Sequence, residues 1–192
     1  MINNIANLLQ KSASDHSHLC PRQVIGVRMG LAGLEALGAE APVNAKSMLI
    51  IIETGGCFAD GIRVATGATV GHRTLRVEDI GKLAATFTHL NDDKSLRLVP
   101  RADVRTRALY YAPEEKRHYF AQLKGYQVMP VEELFTIQEV ELVTSAQQII
   151  SHQKAQAKCT QCGEEIINER EVMVDGKVLC QTCAYGGYYR VV

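Results

Sequence analysis

The sequence has no net charge, no long apolar run, no internal repeat and no low-complexity tract. Lysine and arginine number 21 across 192 residues, and aspartate and glutamate also number 21. That balance leaves no overall field to attract nucleic acid, an acidic membrane surface or a charged substrate. No window approaches the roughly 20 apolar residues that a membrane-spanning helix requires. The opening "MINNIANLLQKSASD" lacks the basic start and apolar core of a secretory signal. A cytoplasmic protein without membrane contact is therefore expected. In that compartment six cysteines are read as thiols and metal ligands before disulfides.

What is present describes a soluble globular chain, 46% hydrophobic and 22% charged. Its length suits one compact domain and a small second one. Residues 1–15 read as a short amphipathic helix with Ile2, Ile5, Leu8 and Leu9 on one face. "QVIGVRMGLAGLEALG" continues at helical spacing and stops at Gly38. Gly26, Gly30 and Gly33 share one face of that helix. Glycine costs helix stability, so this face is expected against another backbone, within the domain or across a homodimer.

"SMLIIIE" is a β-branched run expected to form a strand buried on both faces, and a second helix starts near Cys57. "RTLRVED" and "KLAATFTHL" are strand candidates around a turn near Ile80 and Gly81, and "SLRLVPR" is a third. "PEEKRHYFAQLKG" reads as a helix with proline at its start and glycine at its end, followed by the turn "PVEELF" and the strand "TIQEVELV". The order suits an α+β fold with a mixed sheet flanked by helices. The expected division is a core over 1–155 and a small domain over 156–192, joined by a linking helix at about 144–157.

The small domain carries the strongest chemical signal. Cys159 and Cys162 form one C-x-x-C, Cys180 and Cys183 another, with 17 residues between the pairs. This is zinc-ribbon spacing, in which each pair makes a knuckle holding two thiolates about 2.3 Å from one zinc ion. Gly163 can take the positive φ of the first knuckle, and "MVDGKVLC" reads as a hairpin turning on Asp-Gly. Four thiolates close the coordination shell, so the zinc is structural. The finger mixes acids and bases, and nucleic acid is not an expected partner.

The second signal is "DHSHLCPR", residues 15–22. In an extended segment His16, His18 and Cys20 project on one side. Pro21 suits a first helical turn, which places Cys20 at a helix N-terminus where backbone N–H groups and the dipole favour a thiolate. Arg22 adds positive charge. Cys57 follows a buried strand and two glycines at another helix start, so both thiols can meet at one rim of the sheet. Such donors suit a borderline metal, a nucleophile or a thiol pair.

Taken together, "HSHLCPRQVIGVRMG", "ETGGCFADGIRVATGATVGHRTL", "GKLAATF" and the four-cysteine finger resemble the FmdE family, named for the FmdE component of formylmethanofuran dehydrogenase. The resemblance implies an α+β core followed by a treble-clef-like finger. It also implies a site at His18, Cys20 and Cys57, with His16 and Asp60 close by. The implied role is a metal-binding accessory protein or subunit working with a molybdenum or tungsten oxidoreductase that interconverts carbon dioxide and formylmethanofuran. Ser17 and Arg22 stand where the family tends to have glycines; a guanidinium there would neutralise the Cys20 thiolate in place of a second metal. No pterin or iron–sulfur signature is present, so the chain alone is not expected to perform that redox step. The alternatives are a stand-alone enzyme with a metal on the His/Cys site, or a thiol redox or sensor protein.

Overall fold

The computed structural model describes residues 2–14, 16, 18–44, 47–150, 156–190 and 192. These fall into two compact units, Met1–Ala146 and Gln147–Val192.

The first unit is built on a five-stranded sheet of β1 (Met48–Ile52), β2 (Leu75–Val77), β3 (Ala85–His89), β4 (Ser95–Pro100) and β5 (Phe135–Val140). Its order is β2-β1-β3-β4-β5, with β1 and β2 parallel and the remaining pairs antiparallel. The sheet is mixed, as expected. Register aligns Leu75, Ile50, Phe87 and Leu96 in one row across four strands, and all four are buried. The turn near Ile80 and Gly81 does not join β2 to β3 as a hairpin. Both flank β1, pairing with the backbone groups of its two edges, and the intervening loop folds over the end of β1. There Glu78 N–H donates to the Ile52 carbonyl, and Ile80 and Lys82 N–H donate to that of Glu53.

Helix α1 (Ile2–Ser14) packs Ile5, Leu8 and buried Leu9 against the core; the side chain of Ile2 lies outside the described residues. Helix α2 (Pro21–Ala36) is buried along nearly its whole length. It ends where the sequence predicts: Gly38 N–H returns to Glu35 and Ala39 N–H to Leu34, a Schellman closure. Helix α3 (Cys57–Thr66) lies directly against α2. The glycine face of α2 is thus spent inside the unit. A β-carbon on Gly26 would sit 2.3 Å from the Phe58 carbonyl oxygen, and one on Gly33 would strike the Phe87 ring at 2.6 Å.

Helices α4 (Val104–Tyr111), α5 (His118–Val128) and α6 (Val131–Leu134) complete the unit. The sequence hides α4, which buries only Val104 and Ala108 and so lacks a clear apolar stripe. The helix expected from Pro113 begins instead at His118, and Gly125 lies within α5 rather than at its end. Its missing side chain admits the α4 backbone, since a β-carbon there would meet the Ala108 carbonyl at 2.7 Å. Buried Arg28 crosses from α2 and donates to the carbonyls of Tyr126, Gln127 and Met129 at the end of α5.

Helix α7 (Ala146–Ile150) crosses the boundary along the chain between the two units, within the stretch 144–157 where a linking helix is expected. Residues 151–155 lie outside the described residues, and 156–158 form β6 (Gln156–Lys158) because they pair with β7 (Glu165–Ile167) around the first knuckle. Strands β8 (Val172–Val174) and β9 (Lys177–Leu179) make the predicted hairpin, turning on Asp175 and Gly176, both with positive φ. Helix α8 (Gln181–Tyr185) follows. Hairpin, knuckle and short helix make a treble-clef-like finger. Among the described residues no helix is long and apolar enough to cross a membrane.

Candidate functional site

Two helix starts meet at the end of β1. Cys20 is the N-cap residue of α2, in extended conformation ahead of Pro21. Its N–H donates to Gln23 Oε1 at 2.7 Å, while Gln23 Nε2 donates to the Ser12 carbonyl at 2.9 Å. Gln23 is fully buried, so this one amide ties the end of α1 to the start of α2. Cys57 begins α3 behind Gly56, whose φ of 73° and ψ of −155° belong to glycine alone. That kink turns the chain from strand to helix and aims Cys57 at Cys20.

The two core thiols lie close enough to influence each other's ionisation. Burial first, then the hydrogen bond with Cys20 and its charge, push the Cys57 thiol above its ordinary value, against the pull of its own backbone N–H. This reverses the helix-start argument for Cys57, because desolvation and a neighbouring sulfur outweigh the N-terminal field. Beside Cys57, His16 Nε2 lies 2.9 Å from Asp60 Oδ2, and Arg63 lies 3.8 Å from the other oxygen of that carboxylate. His18 and Arg22 line a cavity together with Cys20. Ser17 lies outside the described residues. The core residues thus stand as two pairs, Cys20 with Cys57 and His16 with Asp60, and His18 faces the cavity.

The loop above the site is held by a half-buried ion pair. Arg97 Nε and Nη2 donate to the two Glu53 oxygens at 2.6 and 2.9 Å. The Arg97 hydrogen bond holds the Glu53 carboxyl below the usual range despite burial. Such a group stabilises the fold above its unfolded pKa, and the contribution disappears as pH falls through the lower folded value. Glu53→Gln is expected to cost about 2 kcal/mol at neutral pH. The deficit relative to the parent should narrow below about pH 4, as followed by denaturant unfolding across a pH series. A deficit unchanged with pH would refute the linkage.

In the second unit Cys159, Cys162, Cys180 and Cys183 bring their sulfurs within 4.8 Å of one another. Among the described residues this is the one group of three or more His, Cys, Asp or Glu side chains so arranged. Cys162 Sγ and Cys180 Sγ are 3.9 Å apart, close to the roughly 3.8 Å that a tetrahedral zinc with 2.3 Å bonds imposes. Gly163 takes a φ of 78° and its N–H returns to the Cys159 carbonyl at 3.0 Å, shaping the first knuckle. In the second, Cys180 caps α8 and accepts from Cys183 N–H at 3.4 Å. Backbone N–H groups of Cys162 and Cys180 hold the Cys159 thiol down to about 6. The hydrogen bond with Cys180, followed by burial, pushes Cys183 up to about 12. One sulfur is ready to ionise and another resists, a strain that a divalent cation among them relieves. The residues fit a four-coordinate metal such as zinc.

Sequence reading missed Lys82, Arg101, Arg105 and Tyr119, which share the cavity with Cys20. They come from separate segments, and no local pattern ties them to "DHSHLCPR". Arg101 and Arg105 at an i,i+4 spacing were the only hint.

The chain is 31% identical over 212 residues to the "probable S-adenosyl-L-methionine-binding protein" of Archaeoglobus fulgidus, covering 98% of this chain and 55% of that protein. It therefore spans about half the length of that relative. The fold matches the crystal structure of an FmdE-like protein, of the tungsten formylmethanofuran dehydrogenase type, from Syntrophus aciditrophicus. The TM-score is 0.62 at 18% identity, over 97% of this chain and 95% of the other. The family model described as "FmdE, Molybdenum formylmethanofuran dehydrogenase operon" matches residues 16–136, a stretch that runs from His16 into β5 and holds every core residue named above. The chain belongs to the FmdE family.

Proposed function

We propose that the chain is an FmdE-like metal-binding accessory protein or subunit of a molybdenum or tungsten oxidoreductase of the formylmethanofuran dehydrogenase type. The observation that carries this reading is the family match itself, which spans the whole thiol and histidine cluster. His18, Cys20 and Cys57 are its working site, with His16, Asp60 and Arg22 beside them. The core extends to about residue 155, and the finger after it holds structural zinc. Sulfur and imidazole donors in the core also suit a second, borderline metal. Assembly with oxidoreductase subunits in the cytoplasm, or as a homodimer, belongs to the same proposal.

Metal analysis of the parent, Cys20→Ala and Cys159→Ala proteins tests the two sites together. Loss of separate metal equivalents in the two variants would support a metal at each. A single equivalent, lost only with Cys159→Ala, would remove the metal from the core. Co-expression with dehydrogenase subunits, followed by size-exclusion chromatography, tests the assembly. Elution apart from those subunits would count against it.

The proximity of Cys20 to Cys57, enough to raise the Cys57 thiol, favours one second reading, a thiol redox or sensor protein. Mild oxidation is then expected to remove two titratable core thiols from the parent and none from Cys57→Ser, with the finger thiols held by metal. Full thiol recovery in the oxidised parent would end this reading. The name of the Archaeoglobus relative adds S-adenosyl-L-methionine as a ligand to try, although this chain covers only part of that protein.

A further inference from the structure

A cavity of about 770 Å³ opens in the first unit between the start of α2, the loop before β3, the β4–α4 junction and α5. Its volume falls among sites that enclose whole small molecules, roughly 300–1,000 Å³. Four cations line it, Arg22, Lys82, Arg101 and Arg105, and no carboxylate does. Neighbouring Asp103 is engaged by Arg107 at 2.6 Å and lies 3.5 Å from Arg101. Arg22, Lys82 and Arg105 form no ion pair among the described residues. Glu53, whose charge reaches Lys82, is committed to Arg97.

Four like charges delivered by three segments repel one another unless an anion lies among them. The sixteen-residue helix α2 adds its positive end to the same wall. Tyr126, buried in that wall, is a neutral phenol whose hydroxyl can donate to an anion. The remaining surface is apolar: Ile25, Leu83, Val99 and Val104. A bare inorganic ion would leave that surface wet.

We propose that this cavity binds a small organic anion, bearing phosphate or carboxylate groups and an apolar or flat body, with Cys20 and His18 in its wall. The inference deepens the core-site reading and rests on it only where Cys20 acts on the ligand. The anion affinity stands on the charge and shape of the cavity.

The test uses the full, metal-loaded chain and calorimetric titration with pyrophosphate, citrate and ADP at low and high ionic strength. At least one probe should bind, more weakly as salt rises. ADP exceeding pyrophosphate would show the contribution of the apolar walls. Preference for pyrophosphate or for citrate distinguishes a phosphate from a carboxylate ligand. Arg105→Glu should weaken binding at least about tenfold, and Arg22→Glu with Arg105→Glu should abolish it. Arg190→Glu, in the other unit, should change nothing. Bound probe should also slow alkylation of Cys20 in a Cys57→Ser background. Thermal unfolding confirms that each variant is folded. No binding of any probe at millimolar concentration and low salt would overturn the proposal, as would equal weakening by Arg190→Glu. Metal analysis and thiol counting read the core-site proposal, whereas salt-dependent probe affinity reads this one, so failure of either reading is seen separately.

Discussion

Stripping the metal from the finger, or replacing Cys159 by alanine, is expected to unfold Gln147–Val192 and leave Met1–Ala146 folded. The reason is the size of the second core. Its buried apolar cluster consists of Cys159, Ile166 and Leu179, with a few half-buried neighbours. The first unit buries more than twenty side chains around its sheet, Phe58, Phe87, Met29 and Met48 among them. So small a cluster cannot offset the entropy of ordering its chain. Metal binding, on the order of 10–16 kcal/mol in small zinc modules, supplies the difference.

Circular dichroism with limited proteolysis would follow the change: cleavage confined to the second unit on chelation, and none in the first. Because the ligating forms are thiolates, protons compete with the metal, so affinity falls as pH drops. The fall should be steep once pH passes below about 6, where Cys159 too becomes protonated. A finger that stays protease-resistant in excess chelator would contradict the assignment.

The second large effect concerns the contact between α2 and α3. Gly26→Val or Gly61→Val is expected to destabilise the first unit by about 3 kcal/mol or more. These glycines face each other: a β-carbon on Gly61 would lie 2.5 Å from the Gln23 carbonyl oxygen and 2.9 Å from Gly26 Cα. All the atoms it would meet belong to backbone, so no rotamer change can make room. The helices themselves must separate. Cys20 and Cys57 stand at the starts of these two helices, hence separation also pulls the thiols apart. Denaturant unfolding should show the lost stability, and on the thiol-pair reading mild oxidation should yield less Cys20–Cys57 disulfide than in the parent. Normal stability in either variant would show that the contact is not tight. Normal stability with reduced disulfide would mean that the helices pivot rather than part.

Much of this arrangement is legible in the sequence because it is written in local chemistry. Paired C-x-x-C motifs announce a finger wherever they occur, since two residues of spacing suffice to shape a knuckle. The Asp-Gly turn, the Gly38 stop and the strand at residues 48–52 were likewise readable from their own residues. Helix α4 was not, because its two buried side chains leave no stripe. Nor could the sequence show that Gly125 is an interior helical residue, because the reason lies in the carbonyl of Ala108. The partner of β2 escaped for a similar reason. A turn between two strands suggests a hairpin, but both β2 and β3 pair with the backbone edges of β1, a partner distant in sequence.

The sequence alone determined the four finger ligands, the helix starts bearing Cys20 and Cys57, and the α+β class. Spacing and capping act over a few residues, and so they can be read without a fold. Only the tertiary structure decided that His16 meets Asp60, that Cys20 raises the Cys57 thiol, and that Lys82, Arg101 and Arg105 join Arg22 around one cavity. Those pairings span tens of residues and arise from glycine contacts between helix backbones and from strand order. Electrostatics act through space, and only the folded chain sets those distances.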